Sequence, residues 1–167
     1  MILTKEEILK EIKKGNIKIE PFNIKSLGPG SYDLTLDDTI RTFKLGKACL
    51  VSERIDWRKL TRKIKIKDHY LLQPGETILA ITKEKITLAD NIAAWLQGRS
   101  RFARLGLLPI TAAYVQPGSS NRQILEIFNA GVVPLIIKPG VKIVQIIFQR
   151  CAGASKYVGK FSKQLAL

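Results

Sequence analysis

The stretch from Pro117 to Phe148, PGSSNRQILEIFNAGVVPLIIKPGVKIVQIIF, decides the fold class of this chain. It holds three strand-forming runs, Ile124–Phe128, Val132–Ile137 and Lys142–Phe148. Each is shorter than an ordinary helix and rich in β-branched or aromatic residues, which pack well on a pleated sheet. Pro117-Gly118 precedes the first run and Pro139-Gly140 separates the last two. Proline presets the backbone for a tight turn, and glycine accepts the positive φ that such turns often require. The same pattern continues outward in Ile17–Ile19, Tyr32–Leu36, Ile64–Ile66, Thr77–Thr82 and Ile92–Leu96, with further turn pairs at Pro29-Gly30 and Pro74-Gly75. It predicts a mainly β chain, a barrel or jelly-roll-like sandwich with little helix. One short helix is expected near the beginning. Thr4 and Glu7 have capping-box spacing, Ile8, Leu9 and Ile12 repeat at helical intervals, and Gly15 stops the run. With no linker, low-complexity tract or fixed-period repeat, residues 1–167 are expected to form one domain.

Hydrophobic residues make up 46% of the chain and charged residues 25%, a balance that excludes disordered, collagenous and coiled-coil classes. Twenty-eight Lys and Arg against 14 Asp and Glu leave a net charge of +14. Such an excess calls for an anion: nucleic acid, a membrane surface or a phosphorylated small molecule. With two cysteines, Cys49 and Cys151, and one histidine, His69, a closed structural zinc site has too few of its usual ligands. The zinc-hydroxide route to base deamination is set aside on the same ground. A Ser-His-Asp hydrolase would have to use His69, which lies in a Lys-rich stretch without a nucleophile motif. The cysteines are expected as buried thiols of a reduced protein rather than as a disulfide. No run of about 18 uncharged apolar residues suggests a membrane span, and Lys5, Glu6 and Glu7 stand where a signal peptide would be apolar. A cytoplasmic location is therefore expected.

Counting acids by position is more informative than counting them in total. Thirteen of the 14 lie at or before Asp90, and the remaining 77 residues hold one, Glu126, against ten Lys or Arg. Period-two geometry puts Glu126 on the same strand face as Ile124 and Phe128. A carboxylate on an apolar face is costly to ionise unless paired, which suits it to accepting and returning a proton; a salt bridge to Arg104 or Arg122 is the alternative. A second constellation is Gln97-Gly98-Arg99-Ser100-Arg101-Phe102-Ala103-Arg104-Leu105-Gly106. Guanidiniums around a small hydroxyl suit phosphate oxygens, although a solvated basic turn would have the same composition. It is not a P-loop, because the Gly-Lys-Ser/Thr ending is missing. The basic stretch Arg54–Lys67, RIDWRKLTRKIKIK, reads either as a solvated strand face or as a nucleic-acid contact.

Taken in order, these pieces resemble the dCTP deaminase and dUTP diphosphatase superfamily over nearly the whole chain, and the deaminases more closely. The leading Ile-Leu-Thr-Lys-Glu-Glu-Ile segment, Ile19-Glu20-Pro21-Phe22 and Gly28-Pro29-Gly30-Ser31-Tyr32-Asp33-Leu34-Thr35-Leu36 are similar to the deaminase opening. Gln97-Gly98-Arg99-Ser100 with Arg104-Leu105-Gly106-Leu107 resembles the phosphate-binding motif. Thr111-Ala112, Pro117-Gly118, Ile124-Leu125-Glu126 and Asn129 match the hairpin that holds the base and the strand after it. Lys142–Phe148 and Ser155-Lys156-Tyr157 resemble the later strand and the tail.

The resemblance implies a dUTPase-like fold and zinc-free deamination of dCTP to dUTP and ammonia. Glu126 would activate water for attack at cytosine C4. Ser100, Arg104 and the backbone carbonyl of Ala112 would orient that water, Arg104 also steadying the glutamate. Arg99, Ser100, Arg101, Arg104, Gln116, Ile124, Gln145, Lys156 and Lys160 would bind substrate, with Mg²⁺ carried on the triphosphate. The family pattern further implies a homotrimer with sites between subunits. Departures are Gln116 where an aspartate is usual, Arg101 for a serine, Lys160 for a glutamine, a shortened 148–155 segment, and one residue fewer between Arg104 and Thr111. A neutral amide at 116 cannot act as a general base, which weighs against triphosphate hydrolysis. The alternatives are a dUTP diphosphatase or bifunctional enzyme on the same scaffold, and a non-catalytic nucleotide- or nucleic-acid-binding protein.

Overall fold

Each run read as a strand overlaps a strand of the structure, a computed structural model that describes all residues except Lys47, Lys160 and Lys163. In chain order the elements are α1 (Lys5–Lys13), β1 (Ile17–Glu20), β2 (Tyr32–Phe43), β3 (Thr61–Lys65), β4 (Tyr70–Leu72) and β5 (Thr77–Leu88). They continue with β6 (Ile92–Gly98), α2 (Ser100–Ala103), β7 (Leu107–Pro109), β8 (Tyr114–Val115), β9 (Ser120–Asn129), β10 (Leu135–Ile137) and β11 (Lys142–Arg150). Short 3₁₀ turns occupy Ile24–Ser26 and Trp57–Leu60. Strands β4, β7 and β8 have only two or three residues each, too few to show a period in the sequence.

Seven strands follow the antiparallel order β7-β9-β5-β2-β11-β6-β8, with β1 added on β5 and β3 on β2, while β10 and β4 form a separate ribbon. Register shifts between Leu36 and Ile40 in β2, and between Ile81 and Lys85 in β5, insert extra residues on one side of a pair. Such bulges bend strands, and the sheet curls into a half-barrel. Its inner face buries Tyr32, Leu34, Leu36, Leu125, Ile127, Ile146 and Phe148 completely. Each such apolar side chain contributes about 1.5–3 kcal/mol relative to exposure.

Helix α1 docks on this body through Ile8 and the fully buried Glu11. Glu11 accepts from Asn16 Nδ2 at 2.6 Å, Arg150 Nη2 at 3.0 Å and Lys14 Nζ at 3.3 Å. The Asn16 bond leads the effects that outweigh burial and hold its carboxyl below the usual value. The expected capping box does not form: Thr4 occupies the N-cap without a side-chain bond, and Glu7 turns to Lys10 at 2.7 Å instead. The two cysteines also differ from expectation. Neither is in a disulfide, but Cys49 is exposed and Cys151 only half-buried. No helix among the described residues is long and apolar enough to cross a membrane.

Candidate active site

Strand β9 has two faces of different character. Gln123, Leu125, Ile127 and Asn129 point into the core, whereas Arg122, Ile124, Glu126 and Phe128 are half-buried on the other face. The face carrying Glu126 is therefore the wall of a pocket, rather than the buried apolar face read from the sequence. The pocket has a volume of about 640 Å³, within the usual range for small-molecule sites. Glu126, Ile124, Ala112 and Gln116 all line it. Their meeting follows from the register. Glu126 lies opposite Leu79 of β5, another lining residue. On its other side, the Ile110 N–H donates to the Glu126 carbonyl at 2.8 Å and the Thr111 hydroxyl donates to the Ile124 carbonyl at 3.0 Å. These two bonds lay the segment that carries Ala112 against β9.

Glu126 Oε2 is buried and has no hydrogen-bond partner among the described residues. The two pairings that the sequence allowed are not made. Arg122 is engaged by the Asp37 carboxylate, and its Nε donates to the Thr82 carbonyl at 2.6 Å at the β5 bulge. Burial would raise the Asp37 carboxyl, but the Arg122 bond, the Asp38 N–H and the Arg122 charge together hold it below its usual value. Arg104 is exposed just after α2 and makes no ion pair with Glu126 among the described residues.

The residues expected at the phosphates form a separate group. Arg99 Nη2 contacts Asp33 Oδ2 at 3.0 Å, and its Nη1 donates to the Lys142 carbonyl at 2.7 Å. Gln145 lies opposite Asp33 in the β2–β11 register, accepts from the Ser31 hydroxyl at 2.8 Å and donates to the Gly98 carbonyl at 3.3 Å. Ser100, Arg101 and Arg104 are exposed on and after α2, a helical turn that the sequence showed only as a basic segment. None of these five residues, Arg99, Ser100, Arg101, Arg104 and Gln145, lines the Glu126 pocket. A single chain thus brings Glu126, Ala112, Gln116 and Ile124 together, but not Ser100 and Arg104.

Lys156 joins the Glu126 side through a second cavity of about 560 Å³, which shares Tyr114, Gln116 and Tyr157 with the first. Gly118 makes this approach possible. Its φ is +73°, and a Cβ there would stand 2.7 Å from Lys156 Cγ and 2.9 Å from an Asp90 oxygen. Lys160 lies outside the described residues. Sequence reasoning missed Phe43, Trp57, Arg122 and Phe161 as lining residues. They come from distant parts of the chain, and no motif groups them.

Among the described residues, no three His, Cys, Asp or Glu side chains gather into a metal-binding group. An Mg²⁺ ion carried on a triphosphate would need few protein ligands, so the expected ion does not call for such a group.

A curled antiparallel sheet presenting an unpartnered carboxylate inside a ligand-sized pocket belongs to the class of β-sheet proteins built to process a small molecule. The family model described as dCTP deaminase-like matches residues 2–151, and the chain belongs to that family of enzymes. It is 36% identical to a "dCTP deaminase, dUMP-forming" of Nocardioides sp., covering 98% of this chain and 91% of the relative. It is 39% identical to a "dCTP deaminase" of Tolumonas auensis, covering 93% and 86%. The fold matches that of a 2'-deoxycytidine 5'-triphosphate deaminase from Agrobacterium tumefaciens with a TM-score of 0.71 at 19% identity. That match covers 89% of this chain and 48% of the other, so the chain spans about half the length of that structure. A dUTPase from phage phi11 of S. aureus, whose structure holds a structural Mg(II) ion, matches with a TM-score of 0.52 at 11% identity over 86% and 96% of the two chains. The dUTPase-like fold expected from the sequence is the fold observed.

Proposed function

We propose that this chain hydrolytically deaminates dCTP, with Glu126 moving the protons. The observation that carries the reading is the buried Glu126 oxygen, which faces the pocket side of β9 without a partner. A carboxylate left without a protein donor is available to water and substrate. In the reaction, a water oxygen bonds to cytosine C4 while Glu126 takes a proton from that water. Glu126 delivers that proton to N3, then takes the second proton from the new C4 hydroxyl and passes it to the departing amino group. The C4–N bond breaks, ammonia leaves and a C4 carbonyl remains: dCTP and water become dUTP and ammonia. The Ala112 carbonyl supplies one orienting acceptor in the same pocket. Ile124 and Gln116 face the nucleoside, and Arg99, Gln145, Arg101 and Lys156 serve the triphosphate, with Lys160 assigned there by resemblance alone. Mg²⁺ carried on the triphosphate would offset part of the phosphate charge that Arg99, Arg101 and Lys156 face.

Ser100 and Arg104 complete the water-orienting set only if α2 of a second copy packs against the pocket, which supports sites shared between subunits; that the assembly is a homotrimer rests on the family resemblance. The name of the Nocardioides relative favours a second reading, in which the product is dUMP and pyrophosphate is also released. Gln116, placed in both cavities, lacks the carboxylate that would activate water toward phosphorus, and this supports dUTP as the product. Incubation with Mg²⁺ and dCTP, followed by product identification, tests both. Ammonia with dUTP supports the first reading, ammonia with dUMP and pyrophosphate the second, and nucleotide binding without ammonia overturns both.

A further inference from the structure

We propose that Trp57, in the basic segment 54–67, is a substrate-contacting residue whose indole forms an aromatic wall of the Glu126 pocket and holds the pyrimidine nucleoside by apolar contact. The inference rests on the nucleotide reading and extends it to a segment that none of the resembling motifs reaches. The segment has seven cations against one carboxylate, and a solvated strand accounts for part of it: Arg62, Lys63, Lys65 and Lys67 are exposed around buried Thr61 and Ile66. It does not account for Trp57, which is half-buried and lines the pocket beside Phe43, together with Leu79, Ile124 and Glu126.

The indole is held in place from several directions. Asp56 accepts from the Arg58 N–H at 3.1 Å and caps the turn. The Thr61 hydroxyl donates to the Trp57 carbonyl at 3.1 Å. Arg41 Nε donates to that hydroxyl at 2.8 Å, while its Nη2 donates to the Arg58 carbonyl at 3.1 Å. The Arg58 and Arg41 guanidiniums lie 4.5 and 5.5 Å from the indole centroid, a cation–π arrangement that fixes the ring on an otherwise exposed segment. The ring also packs against the Leu79–Ile81 cluster, which lies on the same sheet face as Glu126. A rigid indole at the edge of a pocket containing a proton-transfer group suits a flat, uncharged ring, and aromatic contacts to bases add affinity without demanding a particular hydrogen-bond pattern. The surrounding cations raise the local concentration of the anionic nucleotide.

The protein has two tryptophans, and Trp95 lies outside the pocket, bonded to Gln149 at 3.0 Å and tilted against Tyr114 with the ring centroids 4.9 Å apart. A Trp95→Phe variant therefore reports on Trp57 alone. Titrating it with dCTP and Mg²⁺, with 2'-deoxycytidine and with inorganic tripolyphosphate should give a saturable change in emission for the first two and none for the third. Trp57→Ala should weaken dCTP binding about tenfold or more and raise KM more than it lowers kcat, while Trp57→Phe should recover most of the loss. The proposal is overturned if dCTP binds the Trp95→Phe protein without altering its emission and Trp57→Phe and Trp57→Ala both bind within about twofold of wild type. If Trp57→Ala does not fold, the emission titration and Trp57→Phe decide. Failure of wild-type protein to bind dCTP by calorimetry would remove the nucleotide reading itself, whereas failure of the wall alone leaves binding and turnover intact.

Discussion

Replacing Glu126 with Gln keeps the shape of the side chain and removes its ability to carry a proton. Two effects follow from the geometry. Glu126 is assigned both removal of a proton from water and its return to the leaving group, and positioned acid–base groups each contribute about 10²–10⁴-fold, so kcat for ammonia release should fall by roughly 10³-fold or more. The stability effect comes from the Oε2 atom, which is buried without a partner among the described residues. A buried unsatisfied polar atom costs about 1–3 kcal/mol, and the lower end applies because the rest of the side chain is only half-buried. The amide leaves a polar atom in the same buried place, so Glu126→Gln should keep stability within about 1 kcal/mol of wild type, a Tm change of no more than roughly 2–4 °C for a chain of this size. Coupled ammonia detection gives kcat, calorimetry with dCTP gives binding, and thermal unfolding gives Tm. Near-wild-type turnover would refute the catalytic assignment. A clear loss of stability would show that Glu126 has a structural partner, contrary to the geometry.

The Gln116→Asp variant places a carboxylate at the junction of the two cavities and should increase the yield of dUMP and pyrophosphate from dCTP, as read by anion-exchange chromatography; an unchanged product ratio would separate residue 116 from phosphate chemistry. Asp33→Asn removes the ion pair that orients Arg99 and should raise KM for dCTP about fivefold with a smaller change in kcat, a modest effect because both partners keep some solvent contact. The Glu11 and Asp37 carboxyls are both held below their usual values, so their stabilisation is complete above the ordinary carboxylate range and disappears as pH falls through the depressed values. Denaturant midpoints should accordingly be level from about pH 7 to 5 and drop below about pH 4, and Glu11→Gln should flatten the drop. Gly106→Ala should cost more than about 2 kcal/mol and lower Tm by at least roughly 4 °C, because its φ is +81° and a Cβ would stand 2.5 Å from the Gly131 backbone nitrogen.

The main strands were legible because apolar alternation and Pro-Gly pairs report local geometry, and Gly75, Gly118 and Gly140 do adopt positive φ. Glu126 was legible for a different reason: it is the lone acid in a 77-residue stretch, so its position stands out without any structural model. What the pattern concealed was the role of each face of β9. Period two places Glu126 with Ile124 and Phe128, but only the curled sheet shows that this face borders a pocket while Leu125 and Ile127 fill the core. Trp57 and Arg122 remained hidden because their environment depends on contacts across the bulged β2–β5–β9 region, between residues far apart in sequence. The capping box failed because Glu7 has a nearer partner in Lys10. The separation of Ser100 and Arg104 from Glu126 could not be read from motif order, since order along a chain does not state how far apart two segments fold.

The most direct test of Glu126-assisted water attack is to follow the reaction of dCTP and Mg²⁺ in ¹⁸O-labelled water by mass spectrometry of nucleotide and phosphate products. One ¹⁸O atom at uracil O4 for each ammonia released, lost together in Glu126→Gln, is the predicted result. Label confined to phosphate oxygens, or the absence of ammonia from a protein that binds dCTP, would contradict it.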